Sequence, residues 1–396
     1  MPEGSIRPAA SALLEGVRKG RGATSNPPAR FDRLATEAFD DGWETLEDSF
    51  AALPPLPTTL TRDSSRTVIA WNNSPDVGFD RAVNPYRGCE HGCVYCYARP
   101  SHAYLGLSPG LDFETRLLFK PDVAALLEKE LRRPGYVPRP IALGSNTDPY
   151  QPVERQLRLT RAVLEVLERF GHPLTIVTKS AGVLRDIDIL KRLAERRLVR
   201  VCLSVTTLDA GLARILEPRA ATPERRLAAL AALGEAGIPT AVLAAPMIPA
   251  VNDMELERIL ERASSLGASR AGYVLLRLPL EIAGLFEDWL RAHMPDRAER
   301  VLSLVRQTRG GRAYDADFAQ RMSGTGPYAE MLARRFRVAA RRLGLDRAGP
   351  AGAGEAGAAG MEQAGMGQAG MGQGGLDCTR FAVPPRPGEG RQLALF

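Results

Sequence analysis

No stretch of the 396 residues stays apolar for the roughly 20 positions that a membrane-spanning helix needs. The opening segment, "MPEGSIRPAASALLEGVRKGRG", lacks the apolar core of a secretory signal. These two absences predict a cytoplasmic protein with no membrane partner. Cysteine is scarce, at five residues, and the count is odd. In a reducing compartment, clustered cysteines serve more often as metal ligands or catalytic groups than as disulfides. Three of the five fall within "GCEHGCVYC", and a fourth cysteine is missing from that loop.

Hydrophobic residues make up 44% of the chain and charged residues 25%, the balance of a soluble globular protein. The length suits one large domain or two average ones. The net charge of +6 is concentrated: residues 296–347 hold twelve arginines and six acids, which equals the whole excess. Arginine is suited to phosphate recognition. The plainer reading, a solvated helix face, is preferred because no aromatic interleaving or base-reading motif accompanies the run.

Residues 1–60 are rich in Pro, Ser and small residues and are expected to be weakly ordered, apart from segments that dock on the core. Residues 348–375 are Gly- and Ala-dominated and predict a flexible linker, since such a chain buries too little apolar surface to offset its ordering entropy. Residues 376–396 form a tail that regains apolar residues and could dock back.

Between these lies an alternation of strand and helix. Apolar β-branched runs at 140–146, 174–180, 199–207, 239–249 and 271–279 read as buried strands, with "RAVNPYRG" before the cysteines as a first strand. Helical patterns separate them: "VERQLRLTRAVLEVLERFG", "TPERRLAALAALGEAGI", and "NDMELERILERASSLGA" with Asn252 or Asp253 as N-cap. Six β-α units with short loops predict an α/β fold, a partial TIM-type (β/α)6 barrel over residues 61–295. Residues 296–347 then form an Arg-rich helical extension. In such barrels chemistry lies at the C-terminal ends of the strands, where the polar clusters of this chain fall.

The cysteine spacing is C-x3-C-x2-C, through Cys89, Cys93 and Cys96. A structural zinc site takes four protein ligands, usually with C-x2-C pairs, so His91 or His102 would have to complete one. Cys202 and Cys378 are distant, with no partner at ligand spacing. Three thiolates from one loop suit a [4Fe–4S] cluster and leave its fourth iron open to a substrate or cofactor.

With an aromatic, Tyr95, just before the last cysteine, this loop resembles the radical S-adenosylmethionine (SAM) superfamily, over about residues 64–295. Within it the chain is similar to the spore photoproduct lyase-related branch, through "NPYRGCEHGCVYCYAR", "GSNTDPYQPVE", "VTKS", "SVTT", "LEPRAATPERRLAAL" and "AAPMIPAVND". The resemblance implies that Cys89, Cys93 and Cys96 bind the cluster. It implies that Tyr95 packs near the adenine of SAM, that Asn146 and Thr147 meet its methionyl group, that Lys179 and Ser204 bind its polar groups, and that Ala245 offers the adenine a backbone contact. It implies a flavodoxin or ferredoxin as electron donor.

The lyase itself pairs two tyrosines around the last cysteine with a hydrogen-donating cysteine at the end of the second strand. Tyr95 and Tyr97 match the tyrosines and are the candidate catalytic residues, but the cysteine's place falls near Ser145, which is no useful hydrogen-atom donor. Cys202 reads as a small buried residue, with a substitute donor as the alternative. The expected function is a radical SAM enzyme that abstracts hydrogen from an unidentified substrate, with nucleic acid, in repair or modification, as the first reading of that substrate. A radical enzyme for a peptide or small molecule, and a non-catalytic Fe–S redox sensor, remain as alternatives.

Overall fold

A computed structural model describes residues 16–32, 56–346 and 375–385. The expected linker and the outer parts of both terminal segments lie outside the described residues. Among the described residues there are ten strands: β1 Thr59–Arg62, β2 Ile69–Trp71, β3 Arg81–Val83, β4 Tyr86–Arg87, β5 Arg116–Phe119, β6 Ile141–Leu143, β7 Leu174–Thr178, β8 Val199–Ser204, β9 Thr240–Met247 and β10 Arg270–Leu275.

Seven of them form one sheet in the order β10-β9-β8-β7-β6-β3-β2. β3 and β6 to β10 run parallel, and β2 joins β3 antiparallel. This is the expected partial (β/α)6 barrel, with an edge strand that the sequence pattern did not suggest. β8 and β9 are buried along their whole length, which explains their continuous apolar runs: helices cover one face and the lumen the other. Register places Cys202 beside Val177 and Ala241.

"RAVNPYRG" does not form one strand. It splits at Asn84–Pro85 into β3, in the barrel, and β4, which joins β1 and β5 in a separate three-stranded sheet. Proline has no N–H to give to a continuing ladder. The first helical pattern also divides, into Glu154–Leu157 and Leu159–Arg169, around Arg158 with φ 52°. Helix Pro223–Glu235 starts as its sequence suggests, with the Thr222 hydroxyl accepting from Arg225 N at 3.4 Å and proline in the first turn.

The N-cap expected at Asn252 or Asp253 is not formed. Asn252 Oδ1 accepts from Ile248 N at 2.6 Å, and Nδ2 donates to Thr206 O and Pro246 O at 2.7 and 2.9 Å. Asp253 accepts from the Tyr328 hydroxyl at 2.6 Å, and helix Leu256–Ser265 is entered through a short 3-10 turn. Buried loop carbonyls and a tertiary partner take these side chains away from the helix end.

Three additions fix the barrel. Residues 321–345 cap its open edge: Met322 O accepts from Leu275 N at 2.9 Å and Leu345 O from Ala271 N at 3.1 Å. Helices Ile282–His293 and Ala298–Gln307 share an apolar cluster, built around Trp289 and Phe286, with Cys93, Val94 and Tyr95. The cysteine loop therefore rests on the C-terminal helices. Residues 375–385 dock on the floor, at the turns that precede β6, β7 and β8. There Asp377 N donates to Arg197 O and Ala382 N to Phe170 O, both at 2.9 Å. Phe381 packs against Tyr136, Phe170 and His172. Cys378 thus sits at the end of the barrel opposite the mouth.

Candidate active site

The cysteine loop is held from both sides. Cys89 N donates to Phe113 O at 2.9 Å, and the buried Arg99 donates through Nε to Cys93 O at 2.9 Å. Arg99 is in turn paired with the buried Glu114 at 2.5 Å. The other Glu114 contacts come from the N-terminal segment, where Gly22 N and Ala23 N donate to its carboxylate at 3.0 and 2.9 Å. A Cβ on Gly22 would come within 1.8 Å of Gly92 O, so the segment lies flat on the loop and glycine is required. Part of the sequence expected to be weakly ordered is therefore a strap over the thiols.

Cys89, Cys93 and Cys96 line one cavity of ≈ 650 Å³ at the C-terminal ends of the strands. Tyr95, Asn146, Thr147, Lys179, Ser204 and Ala245 line it as well. All nine residues singled out for cluster and SAM binding thus share one space. Burial pushes all three thiols above the usual thiol range. Burial disfavours the thiolates unless a metal or cluster joins them, and as they stand no three Cys, His, Asp or Glu side chains among the described residues come together as a ready-made metal site. The match to the implied group rests on the three sulfurs sharing one cavity.

Each histidine that a zinc site would need has one ring nitrogen engaged elsewhere. His91 Nδ1 stands 3.3 Å from Asp148 Oδ2, and His102 Nε2 lies 3.0 Å from Arg116 O. Burial lowers His102 to about 4. Asp148 is buried, which works against its charge, but the His91 imidazole, the Lys179 N–H and the Thr178 hydroxyl outweigh that and hold its carboxyl below the usual range.

The second-strand motif is positioned by Asn84, which sequence reasoning passed over. Its Oδ1 accepts from Asn146 N at 3.1 Å and its Nδ2 donates to Ser145 Oγ at 3.2 Å. The Thr147 hydroxyl donates to Tyr86 O at 3.2 Å. Across the mouth, Lys179 Nζ donates to Ser204 Oγ at 2.5 Å, and Ala245 O accepts from Ser204 Oγ and Thr206 Oγ1 at 3.3 and 3.1 Å.

Beneath them lies the residue that sequence reasoning missed, Glu217. It is fully buried and gathers Arg226, Lys179 at 3.6 Å, the Thr206 hydroxyl at 2.5 Å and the Tyr95 hydroxyl. Burial alone would raise its carboxyl, but Arg226 and Lys179 hold it down at about 2. The "LEPRAATPERR" stretch carried the signal, an acid nine residues before an arginine. Nothing local to that stretch, however, says that the pair folds under strand ends rather than facing solvent. Glu217 orients Tyr95 and Lys179 together from below.

Tyr97, the other candidate tyrosine, is half-exposed at the mouth. Its hydroxyl donates to Ser145 O, and the Arg277 guanidinium stands 5.3 Å from its ring centre. Cys202 does not line the cavity. It is packed in the lumen with Ala241, Leu243 and Ala245, as a small apolar residue would be. The Arg-rich run is partly internal: Arg309 is buried and donates to Leu276 O and Gln320 O at 2.8 Å each, while Arg335 pairs with Glu257 at 2.6 Å. Arg321 enters the cavity wall.

A partial (β/α)6 barrel with a three-thiol loop at its mouth defines a class of barrel enzymes whose cofactors sit on the strand ends. The family model described as "Radical SAM superfamily" matches residues 83–263. An uncharacterized protein of Mycobacterium tuberculosis (strain ATCC 25618 / H37Rv) is 37% identical over 237 residues, which cover 59% of this chain and 70% of the relative. An uncharacterized protein of Methanocaldococcus jannaschii is 29% identical over 178 residues, 45% of this chain and 64% of the relative. Among solved structures, a spore photoproduct lyase mutant matches at a TM-score of 0.48 and 17% identity, covering 72% of this chain and 79% of that one. Streptococcus suis SuiB bound to S-adenosylmethionine matches at a TM-score of 0.27 and 14% identity, covering 40% and 35%. The chain belongs to the radical SAM superfamily. Among the described residues no helix is long and apolar enough to cross a membrane.

Proposed function

We propose that the chain is a radical SAM enzyme of the spore photoproduct lyase-related branch, with nucleic acid as the leading substrate class. Cys89, Cys93 and Cys96 would hold a [4Fe–4S] cluster. When bound and reduced, that cluster supplies the electron that cleaves SAM to a 5′-deoxyadenosyl radical able to abstract hydrogen from a substrate. The remaining roles fall to this chain's own side chains. Lys179, backed by Glu217 and Ser204, presents a cation to the SAM carboxylate, a charge-assisted contact stronger than a neutral one. Asn84 fixes Asn146 and Thr147 for the methionyl end. Tyr95 and the small Ala245 leave room for a flat base. Tyr97 and Tyr95 are the candidate catalytic groups, and a flavodoxin or ferredoxin would deliver the electron.

The observation that carries the reading is the convergence of the three thiols with Lys179, Ser204, Asn146 and Thr147 on one cavity. The test is anaerobic reconstitution with iron and sulfide, followed by dithionite and SAM. Formation of 5′-deoxyadenosine is expected, together with its loss in Cys93→Ala. Product formation by Cys93→Ala would refute the proposal. A chain that takes up iron but gives no product would be a redox sensor instead.

A further inference from the structure

Leaving His91 aside, the cavity wall carries six charged side chains: Arg87, Lys120, Asp148, Lys179, Arg277 and Arg321. Five are cationic. The single carboxylate, Asp148, is already used by His91, Thr178 and the Lys179 N–H. Three of the cations have carboxylates of their own behind the wall. Arg87 pairs with Asp63 at 2.7 Å, Lys179 stands 3.6 Å from Glu217, and Arg321 grips Asp76 with two nitrogens.

Arg277 has no such partner among the described residues. Its Nη1 reaches the Met322 thioether at 3.1 Å and its Nη2 the Tyr314 hydroxyl at 3.5 Å. Its Nε is buried with no hydrogen-bond partner. A thioether is a weak acceptor, and a guanidinium has five N–H donors to satisfy. A partly buried cation left in this state is costly unless an anion joins it. The Tyr97 ring, with its centre 5.3 Å from the guanidinium carbon, holds the group from one side beforehand, so less freedom is lost when a planar or tetrahedral anion docks. Lys120, at the end of β5, also lines the cavity and makes no ion pair with any described residue.

We infer that the cavity binds its substrate through an oxyanion, phosphate or carboxylate, held on Arg277 beside Tyr97. This rests on the proposed radical SAM reading only in taking the bound anion to belong to the substrate. The anion site itself is a property of the wall. It also gives Tyr97 a task apart from any radical relay: it is the shelf that aims Arg277.

The test is arginine labelling of the full reconstituted chain with phenylglyoxal, read residue by residue by peptide mass spectrometry. Inorganic phosphate, acetate and chloride are compared at equal ionic strength, with the exposed Arg334 as reference. Phosphate is expected to slow labelling of Arg277 about tenfold, equivalent to about 1.4 kcal/mol, and to leave Arg334 unchanged. Protection by phosphate alone assigns the site to phosphate-bearing substrates. Equal protection by acetate assigns it to carboxylates as well. Protection no greater than chloride gives, or equal slowing at Arg334, overturns the inference. In a calorimetric titration with inorganic phosphate, Arg277→Gln should lose the heat of binding and Arg277→Lys should keep part of it. Neither variant should melt below the wild-type temperature, since both keep a polar group at that place and Arg277→Gln removes an unpaired cation. Binding by Arg277→Gln at wild-type affinity also overturns the inference. Production of 5′-deoxyadenosine by the wild type is a separate readout. Protection without that product rejects the proposed function and leaves the anion site standing, while the product without protection does the reverse.

Discussion

The two ends of the same parallel strands are built by opposite rules. At the mouth, buried polar groups are arranged in tiers: Glu217 beneath Lys179 and Tyr95, Asn84 beneath Asn146, Glu114 beneath Arg99 and the cysteine loop. At the floor, the docked tail meets an aromatic group of Phe381, Tyr136, Phe170 and His172, with backbone hydrogen bonds at its rim. The difference teaches that polar burial here follows the site rather than the fold. The floor is closed by aromatic packing with polar contacts at its rim, Arg197 to Asp377 at 3.2 Å and Arg132 to Pro384 O at 2.7 Å, whereas the mouth buries charged groups and leaves one guanidinium unanswered. Cysteine follows the same division: three line the mouth, Cys202 sits mid-lumen and Cys378 lies on the floor.

The strongest way to break this comparison is a serine scan of the five cysteines. Cys89→Ser, Cys93→Ser and Cys96→Ser should each abolish 5′-deoxyadenosine formation from SAM under dithionite. Cys202→Ser and Cys378→Ser should keep it. If Cys378→Ser lost the product while its iron content stayed intact, the floor would have to take part in chemistry, and the division of labour would be wrong.

Next in size is Glu217→Ala. It leaves Arg226 buried without its partner and Lys179 without its counter-charge, so it should cost about 3–5 kcal/mol in urea unfolding. Glu217→Gln keeps an acceptor for the Thr206 and Tyr95 hydroxyls and should cost less. At the floor, Phe381→Ala removes a half-buried ring and should cost about 1–2 kcal/mol. It should leave iron binding and SAM cleavage unaltered. A loss of activity in Phe381→Ala at full stability would show that the two ends are coupled.

What the sequence made legible is local. The five parallel strands β6 to β10 were found within a few residues because parallel, doubly covered strands are continuous apolar runs, and the thiol loop was found because its ligands lie within eight residues. The misreadings were long-range. Asn252 looked like a cap because capping is a local rule, but its amide is spent on Ile248, Thr206 and Pro246. Glu217, Asn84 and the Gly22 strap act across 62 to 122 residues of chain, on partners that periodicity cannot name. The Arg-rich run read as a solvated face because charge alone does not tell Arg309, buried against strand carbonyls, from an exposed neighbour such as Arg334.

The smallest effect sharpens the comparison most finely, because each end holds a histidine that burial pushes well below its ordinary range. Burial lowers both His102, beside the cysteine loop, and His172, on the floor, from 6.5 to about 4. A histidine whose folded pKa lies below its unfolded value contributes full stability above about 6.5. It loses that contribution as pH falls from 6.5 towards 4, since the unfolded chain takes up the proton first. Between pH 7.5 and 5.5 each should cost about 1 kcal/mol, and His102→Gln and His172→Gln should each remove its own share of the slope, with His293, also lowered by burial, keeping a share in both. The two differ in what keeps them dry. His172 is covered edge-on by Phe381, with ring centres 5.5 Å apart, and it takes the Tyr136 hydroxyl at 2.8 Å. His102 is packed by Phe113 within the barrel's own chain. Deleting residues 376–396 should therefore return His172 towards its ordinary value and flatten its share of the slope, with no change in the share of His102. Titration of both imidazoles by NMR in the full chain and the truncated chain checks this. A shift of both histidines on truncation would mean that the tail acts on the whole barrel and not on its floor alone.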